Sequence, residues 1–117
     1  MSNIILIGMP GSGKSTVGVL LAKMLGMNFI DADLLIQQRE GMKLYEIQAQ
    51  KGNDYFAKVE EEVNASIAAE NTVIATGGSV VYGEQAMAHL KSIGKVVYLR
   101  VPLRELERRI KNFATRG

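Results

Sequence analysis

The segment that most constrains the fold is a glycine-rich loop between an apolar run and a helix-forming pattern. The apolar run at residues 4–7 has no polar interruption, which is typical of a strand buried on both faces of a parallel sheet. The loop that follows reads Gly8-Met9-Pro10-Gly11-Ser12-Gly13-Lys14-Ser15 and fits the pattern G-x-x-x-x-G-K-[ST]. Over residues 15–25 apolar side chains recur at helical spacing, and Gly26 stands where a helix C-cap is expected. The sequence therefore predicts a central strand, a phosphate-binding loop and a helix in succession.

The loop carries the residue types that phosphate binding requires. Glycines allow successive backbone N–H groups and the positive end of the following helix to approach a phosphate. Lys14 would bring a positive charge to the β- and γ-phosphates, and the Ser15 hydroxyl would bind Mg²⁺. The nucleotide contacts predicted from this segment are Gly11, Ser12, Gly13, Lys14, Ser15 and Thr16. The competing interpretation is a glycine-rich turn with a solvated lysine, but the strand before the loop and the helix after it favour nucleotide binding.

The remaining sequence alternates between strand and helix patterns. Further strands are predicted at residues 28–31, 72–75 and 95–100. Helices are predicted over residues 33–40 and 54–69, around residues 84–93, and in a last segment marked by Leu103, Leu106 and Ile110. Glu60, Glu61 and Glu62 lie mostly off the apolar stripe of the 54–69 helix, so we expect them to form a solvated face. The alternation predicts an α/β fold, a three-layer α/β/α arrangement with a central parallel sheet, as a single domain over residues 1–117.

Composition and charge narrow the classes of partner. The chain has 117 residues and a formal net charge of +2, with eight basic and two acidic residues between positions 91 and 117. Such a run is most often a solvated helix face, next a site for a small anion, and less often a nucleic-acid site. The absence of cysteine suits a reducing compartment, and the N-terminal apolar run is far shorter than the roughly 20 residues that span a bilayer. We expect a cytoplasmic monomer that binds neither nucleic acid nor membrane.

Polar and glycine residues follow two of the predicted strands. Asp31 and Asp33 come at the end of the second strand, and Gly77 and Gly78 come just after the third. Open α/β sheets bind ligands outside the carboxyl ends of their strands, where a carboxylate can hold Mg²⁺ through water or accept a hydroxyl proton. The alternatives are helix capping for the two aspartates and a plain turn for the two glycines. No Asn-Lys-x-Asp segment for guanine recognition is present, which argues against a GTPase.

Several motifs in order resemble the shikimate kinase family across the whole chain. They are the phosphate loop ending in Thr16, Phe-Ile-Asp-Ala-Asp at 29–33, Gly52 followed by Phe56 and Glu60, Ala-Thr-Gly-Gly at 75–78, and Val-Val-Tyr-Leu at 96–99. The resemblance implies a five-stranded parallel core, a lid, and transfer of the γ-phosphoryl group of ATP, with Mg²⁺, to the 3-hydroxyl of shikimate.

The resemblance also implies roles for individual residues. The phosphate loop spans Gly11 to Thr16, with Lys14 catalytic and Ser15 the Mg²⁺ ligand. Asp31 is similar to a carboxylate of the metal shell, and Asp33 to the aspartate that holds the substrate hydroxyls. Gly77 and Gly78 correspond to glycines at the substrate, and Arg116 resembles a lid arginine that reaches the nucleotide phosphates.

The chain departs from the family pattern at three places. The family usually has an arginine after the phenylalanine matched by Phe56, where it binds the substrate carboxylate, and here that residue is Ala57. Lys58 comes next, but one step along a helix turns a side chain by about 100°, which argues against it as a replacement. The usual three-glycine run is shortened by Ser79, and the sequence stops at Gly117, where the lid begins, so we expect a C-terminal part to be missing.

Two other functions stay open at this stage. Dephospho-CoA kinase also follows its phosphate loop with an Asp-Ala-Asp segment, although the Ala-Thr-Gly-Gly segment argues against it. A nucleotide-binding module without catalytic activity is the alternative that Ala57 and the early end of the chain suggest.

Overall fold

The computed structural model describes residues 3–8, 13–100 and 108. Its elements follow in the order β1 (Asn3–Gly8), α1 (Lys14–Leu25), β2 (Asn28–Asp31), α2 (Ala32–Glu40), α3 (Leu44–Lys51), α4 (Asn53–Ala65), β3 (Thr72–Ala75), a single 3₁₀ turn (Val80–Tyr82), α5 (Glu84–Ile93) and β4 (Gly94–Leu99). The predicted strands, the helices before residue 41 and the helix at residues 84–93 are confirmed to within one or two residues.

The four described strands form one parallel sheet in the order β2-β3-β1-β4. Ile5 pairs in register with Ile74 of β3 and with Val96 of β4, and both Ile5 and Ile74 are fully buried. Burial of both faces explains why β1 and β3 are almost continuous apolar runs rather than alternating ones. The predicted central, parallel position of the first strand is confirmed.

Alternate side chains of the central strands pack into different helical layers. Ile5 and Ile74 belong to a core cluster with Ala86 and Leu90 of α5, on one face of the sheet. Leu6 belongs to a second cluster, with Ala22, Val17 and Leu21 of α1 and with Val73 and Phe29. Successive strand residues point to opposite faces, so these clusters place α5 and α1 on opposite sides of the sheet. The predicted three-layer α/β/α arrangement is confirmed.

Two helical predictions need correction. The helix α3 was not predicted, because its mixed polar sequence carries only one fully buried apolar side chain, Ile47. The helix α4 ends at Ala65 and not at residue 69, because the backbone N–H and the hydroxyl of Ser66 both bond the carbonyl oxygen of Val63 and turn the chain. Ile67 lies beyond this end and is still buried in the core. The helix predicted around Leu103, Leu106 and Ile110 lies outside the described residues. Within the described residues no helix combines the length and hydropathy that crossing a bilayer requires.

Asn3 connects three segments by hydrogen bonds at the end of the sheet where β1 begins. Its side-chain amide donates to the carbonyl oxygens of Ala69 (2.8 Å) and Ile93 (2.9 Å), and its side-chain oxygen accepts from the backbone N–H of Thr72 (3.0 Å). Only 3% of Asn3 is exposed, so these backbone groups have little access to water as alternative partners. The side chain thus fixes where β3 begins and where α5 ends relative to β1.

We predict that Asn3→Ala lowers the free energy of unfolding by at least about 2 kcal/mol, since each buried group left unsatisfied costs about 1–3 kcal/mol. Urea unfolding of the variant and the wild type would measure the loss. Asn28→Ala, at an exposed position of β2, is the matched control and should change stability by no more than about 0.5 kcal/mol. Equal stability of the two variants would contradict the structural role of Asn3.

Candidate active site

Three parallel strands end together and bring the predicted site residues to one edge of the sheet. Leu6 of β1 pairs with Ala75, the last residue of β3, and Ala75 pairs with Asp31, the last residue of β2. The segments that follow these strands carry Lys14, Asp33 and Gly77. The parallel register therefore gathers residues that are more than 60 positions apart in the sequence.

Lys14 begins α1 and folds back toward the end of β1. Gly13, immediately before it, has a left-handed backbone (φ 82°), a conformation that glycine adopts without steric cost. The Lys14 ammonium donates to the carbonyl oxygen of Gly8 at 2.8 Å, and only 8% of the residue is exposed. Burial lowers the pKa of Lys14, and the carboxylates of Asp33 and Glu60 act in the opposite direction. The ammonium is thus held at the mouth of the phosphate loop, with two carboxylates near it.

Asp31 uses its two carboxylate oxygens for two different purposes. One oxygen accepts the backbone N–H of Asp33 at 2.9 Å and caps α2. The other accepts the Ser15 hydroxyl at 2.8 Å. The sequence left helix capping and a role in the site as alternatives for Asp31. In the structure the same side chain caps α2 and contacts Ser15.

The donor pair of Ser15 and Asp31 suits Mg²⁺. This ion prefers oxygen ligands and keeps several waters, so one hydroxyl and one carboxylate, together with phosphate oxygens, are a sufficient protein contribution. The described residues contain no group of three or more histidine, cysteine, aspartate or glutamate side chains that could hold a metal by themselves.

Asp33 lies in the first turn of α2, and its pKa is well above the ordinary value of an aspartate. Burial, reinforced by the charges of Asp31 and Glu60, raises the pKa of Asp33 from 3.8 to about 6, and the Lys14 ammonium only partly opposes this change. At neutral pH the side chain is mostly a carboxylate that is poorly solvated. Such a group is suited to accept a hydrogen bond or a proton from a ligand hydroxyl.

Glu60 was predicted to lie on a solvated face, and that prediction is wrong. Only 4% of Glu60 is exposed, and its carboxylate accepts the Ser79 hydroxyl at 2.5 Å. Burial raises the pKa of Glu60, while the Ser79 hydrogen bond and the Lys14 ammonium lower it. The sequence does contain an indication that Glu60 is buried. Glu60 follows Phe56 by four positions and precedes Val63 by three, which places it beside the apolar stripe of the helix.

The other two glutamates of the run behave differently from Glu60. Glu61 is half-buried, and its carboxylate accepts the backbone N–H of Gln85 at 3.0 Å near the beginning of α5. Glu62 is exposed and pairs with Arg39 at 2.7 Å. Only Glu62 therefore matches the solvated face that the sequence predicted.

Two carboxylates pack closely against the backbone of Gly77. A Cβ atom added to Gly77 would lie 3.0 Å from Asp33 Oδ1 and would overlap Glu60 Oε2. Just before it, the backbone N–H and the hydroxyl of Thr76 both donate to the carbonyl oxygen of Leu6, at 3.2 and 2.8 Å, which extends the attachment of this segment to β1. The segment is thus more than a plain turn, because it brings bare backbone against Asp33 and Glu60.

The structure does not place every residue that the sequence predicted for the site. Gly11, Ser12 and Arg116 lie outside the described residues. Gly13, Lys14 and Ser15 lie at the site as described above, and Thr16 is exposed in the first turn of α1. Gly78 follows Gly77 in the same segment and is half-buried.

A groove of about 300 Å³ adjoins the cluster formed by Lys14, Asp33 and Glu60. Its walls are α4 on one side and the segment from Ser79 to Gly83 on the other. The lining residues are Ala57, Lys58, Glu60, Glu61, Ser79, Val80, Tyr82 and Gly83. Glu60 lines the groove and also belongs to the cluster with Lys14 and Asp33, so the groove lies beside that cluster.

The comparison with protein families identifies the family of this chain. The family model described as shikimate kinase matches residues 10–117. A shikimate kinase of Sulfurihydrogenibium is 44% identical over 96% of this chain and 68% of its own length. A shikimate kinase of Clostridium botulinum is 46% identical over 94% of this chain and 65% of its own length. The chain therefore spans about two thirds of the length of these relatives.

Solved structures give the same answer. Shikimate kinase from Acinetobacter baumannii, in complex with shikimate, superposes with a TM-score of 0.79 at 36% identity, over 89% of this chain and 59% of that one. Shikimate kinase from Aquifex aeolicus superposes with a TM-score of 0.74 at 42% identity, over 87% of this chain and 61% of that one. The family match, the curated relatives and the shared architecture agree, and the chain belongs to the shikimate kinase family.

Proposed function

We propose that this protein transfers the γ-phosphoryl group of ATP to the 3-hydroxyl of shikimate. The observation that carries the proposal is the convergence of Lys14, the Ser15–Asp31 pair and Asp33 at one edge of the sheet, in a chain of this family. A phosphate loop alone would indicate only a nucleotide. The neighbouring buried carboxylate and the open groove supply a place for an acceptor.

Each group would have a distinct task. The Lys14 ammonium would move from the Gly8 carbonyl to the β- and γ-phosphates and stabilise charge that develops during transfer. Ser15, with Asp31 behind it, would hold Mg²⁺, which screens the phosphate charges when bound. Asp33 would orient the acceptor hydroxyl and take its proton as the new oxygen–phosphorus bond forms and the bond to the β-phosphate oxygen breaks.

We propose that Mg²⁺ is the metal and shikimate is the acceptor. Gly77 and Gly78 contact that acceptor through their backbone. The protein acts as a monomer in the cytoplasm, where MgATP is abundant. A phosphoryl-transfer assay of the intact protein with a panel of hydroxylated acids, shikimate included, tests substrate and catalysis together. Turnover of dephospho-CoA but not of any acid would overturn the assignment.

We predict that Lys14→Ala lowers kcat at least about hundredfold while the protein remains folded, because one donor at the transferring group typically contributes that much. Steady-state turnover and circular dichroism would measure the two effects. Lys23→Ala, at an exposed position in the last turn of α1, is the matched control and should behave as wild type. Turnover of Lys14→Ala within about threefold of wild type would show that the phosphate-loop assignment is wrong.

We predict that Asp33→Asn lowers kcat/KM for the acceptor at least about hundredfold but changes the Kd for ATP by less than about threefold, because its carboxylate acts on the acceptor hydroxyl. ATP binding would be measured without acceptor, by calorimetry. Asp54→Asn, an exposed aspartate of α4, is the control. Equal losses in acceptor use and ATP binding would place Asp33 in the metal shell instead.

The pH dependence of acceptor use should report Asp33. The carboxylate must be ionised to accept a proton, and its pKa in the free protein is raised to about 6. We therefore expect kcat/KM for the acceptor to be constant above that pH and to fall about tenfold per pH unit well below it. The residual activity of Asp33→Asn should lack this acidic limb. An identical limb in the variant would assign the titration to another group, such as the nucleotide.

A further inference from the structure

The groove beside the cluster has the size and position of a small-molecule site. Its volume of about 300 Å³ lies at the lower end of the range for ligand pockets. One end is bounded by Glu60, whose carboxylate lies against Gly77 together with that of Asp33. A ligand in the groove would therefore have one end near the group that we assign to the acceptor hydroxyl.

The charges that line the groove are not equally available to a ligand. The Glu60 carboxylate accepts the Ser79 hydroxyl, and the Glu61 carboxylate accepts the backbone N–H of Gln85. Lys58 is exposed, and within residues 3–8, 13–100 and 108 it takes part in no ion pair. Both acidic side chains are thus held by donors of the protein, while the ammonium of Lys58 is open to a ligand.

Lys58 also reaches the groove despite its place on the helix. At about 100° per residue, Ala57, Glu60 and Glu61 cover roughly 100° of the surface of α4, and Lys58 extends this arc by about 60°. Glu61 lies between Ala57 and Lys58 on this arc. The groove is therefore wide enough around α4 for both neighbouring positions to line it. Lys58 therefore borders the same groove as Ala57, although their directions on the helix differ by about 100°.

We propose that Lys58 binds the carboxylate of the acceptor and selects acidic acceptors over neutral ones. This inference rests on the proposed function and adds the residue that recognises the acid group. With the carboxylate at Lys58 and the hydroxyl at Asp33, the acceptor lies along the groove between the Ser79–Gly83 segment and α4. Ala57 leaves the space beside Lys58 free, because its side chain is a methyl group.

An ammonium is a weaker anchor than a guanidinium. Lysine offers a compact, strongly hydrated charge without the planar fork that binds both carboxylate oxygens. At the exposed edge of a groove we expect its removal to weaken binding about tenfold, between the small effect of a surface ion pair and the large effect of a buried one. The loss should fall on KM, since the carboxylate is held alike in the ground state and the transition state.

Lys58→Gln tests the assignment, because it removes the charge and keeps most of the side-chain length. For shikimate we expect KM to rise about tenfold, with kcat and the KM for ATP within about twofold of wild type. For shikimate methyl ester, which lacks the charge, wild type and variant should have the same KM. Lys91→Gln, at an exposed position of α5, is the matched control and should leave all constants unchanged. A Lys58→Gln variant with an unchanged KM for shikimate overturns the proposal.

A second substitution tests the position of the carboxylate. Ala57→Arg in the Lys58→Gln background restores a positive charge at the neighbouring site, so the KM for shikimate should return to or below the wild-type value. The methyl ester should not benefit. If the ester gains as much as the acid, the groove does not recognise charge at this position and the proposal fails.

Equilibrium binding separates this proposal from the proposed function. Calorimetry with shikimate and its methyl ester, in the presence of ADP and Mg²⁺, measures the contribution of Lys58 without turnover. If the protein phosphorylates shikimate and Lys58→Gln binds it as well as wild type does, the function stands and the role of Lys58 is wrong. If no acid is phosphorylated but Lys58→Gln selectively weakens binding of the acid, the role of Lys58 stands and the kinase proposal is wrong.

Discussion

The parallel register of β1, β3 and β2 is the constraint on which the site depends. Backbone pairing of Leu6 with Ala75, and of Ala75 with Asp31, ends the three strands at a common edge. Thr76 extends the attachment by bonding the carbonyl oxygen of Leu6 with both its backbone N–H and its hydroxyl. A shift of one residue in this pairing would exchange the two faces of a strand and place buried apolar side chains in the wrong layer. The cores on the two faces therefore hold the site in place.

Burial has the largest influence on the charges at that edge, and neighbouring charges modify it. Lys14, Asp33 and Glu60 are each disfavoured as charged groups by desolvation, and each is partly stabilised by an opposite charge in the same cluster. Replacing one of them leaves the others with an unbalanced charge, so their effects on binding and stability should not be additive. A polyanionic nucleotide would draw the ammonium toward itself and leave the carboxylates nearer to an acceptor hydroxyl.

Much of this arrangement could be predicted from the sequence because local patterns determine it. The buried strands and the capping glycine after α1 are local features, and the structure has them where they were expected. Residues 9–12 of the predicted phosphate loop lie outside the described residues. The burial of Glu60 could not be predicted in this way, because it depends on Ser79 and on the packing of α4 against a segment 17 to 19 positions away. The same holds for α3, whose polar sequence gives little indication of a helix and whose stability comes from packing Ile47 against α2 and α4.

The position of Lys58 shows why helical spacing alone does not determine which side chains line a groove. A helical wheel gives the direction of a side chain but not the width of the cavity that it faces. Here the opposite wall is a short 3₁₀ turn that carries Tyr82, and it leaves an open groove along α4 rather than a single pocket. In a narrow pocket only a residue at the position of Ala57 would reach a ligand, whereas in a wide groove the long, flexible lysine stem can do so from one residue further along. The shape of the wall opposite a helix, as much as the residues on the helix, therefore decides which side chains line the groove.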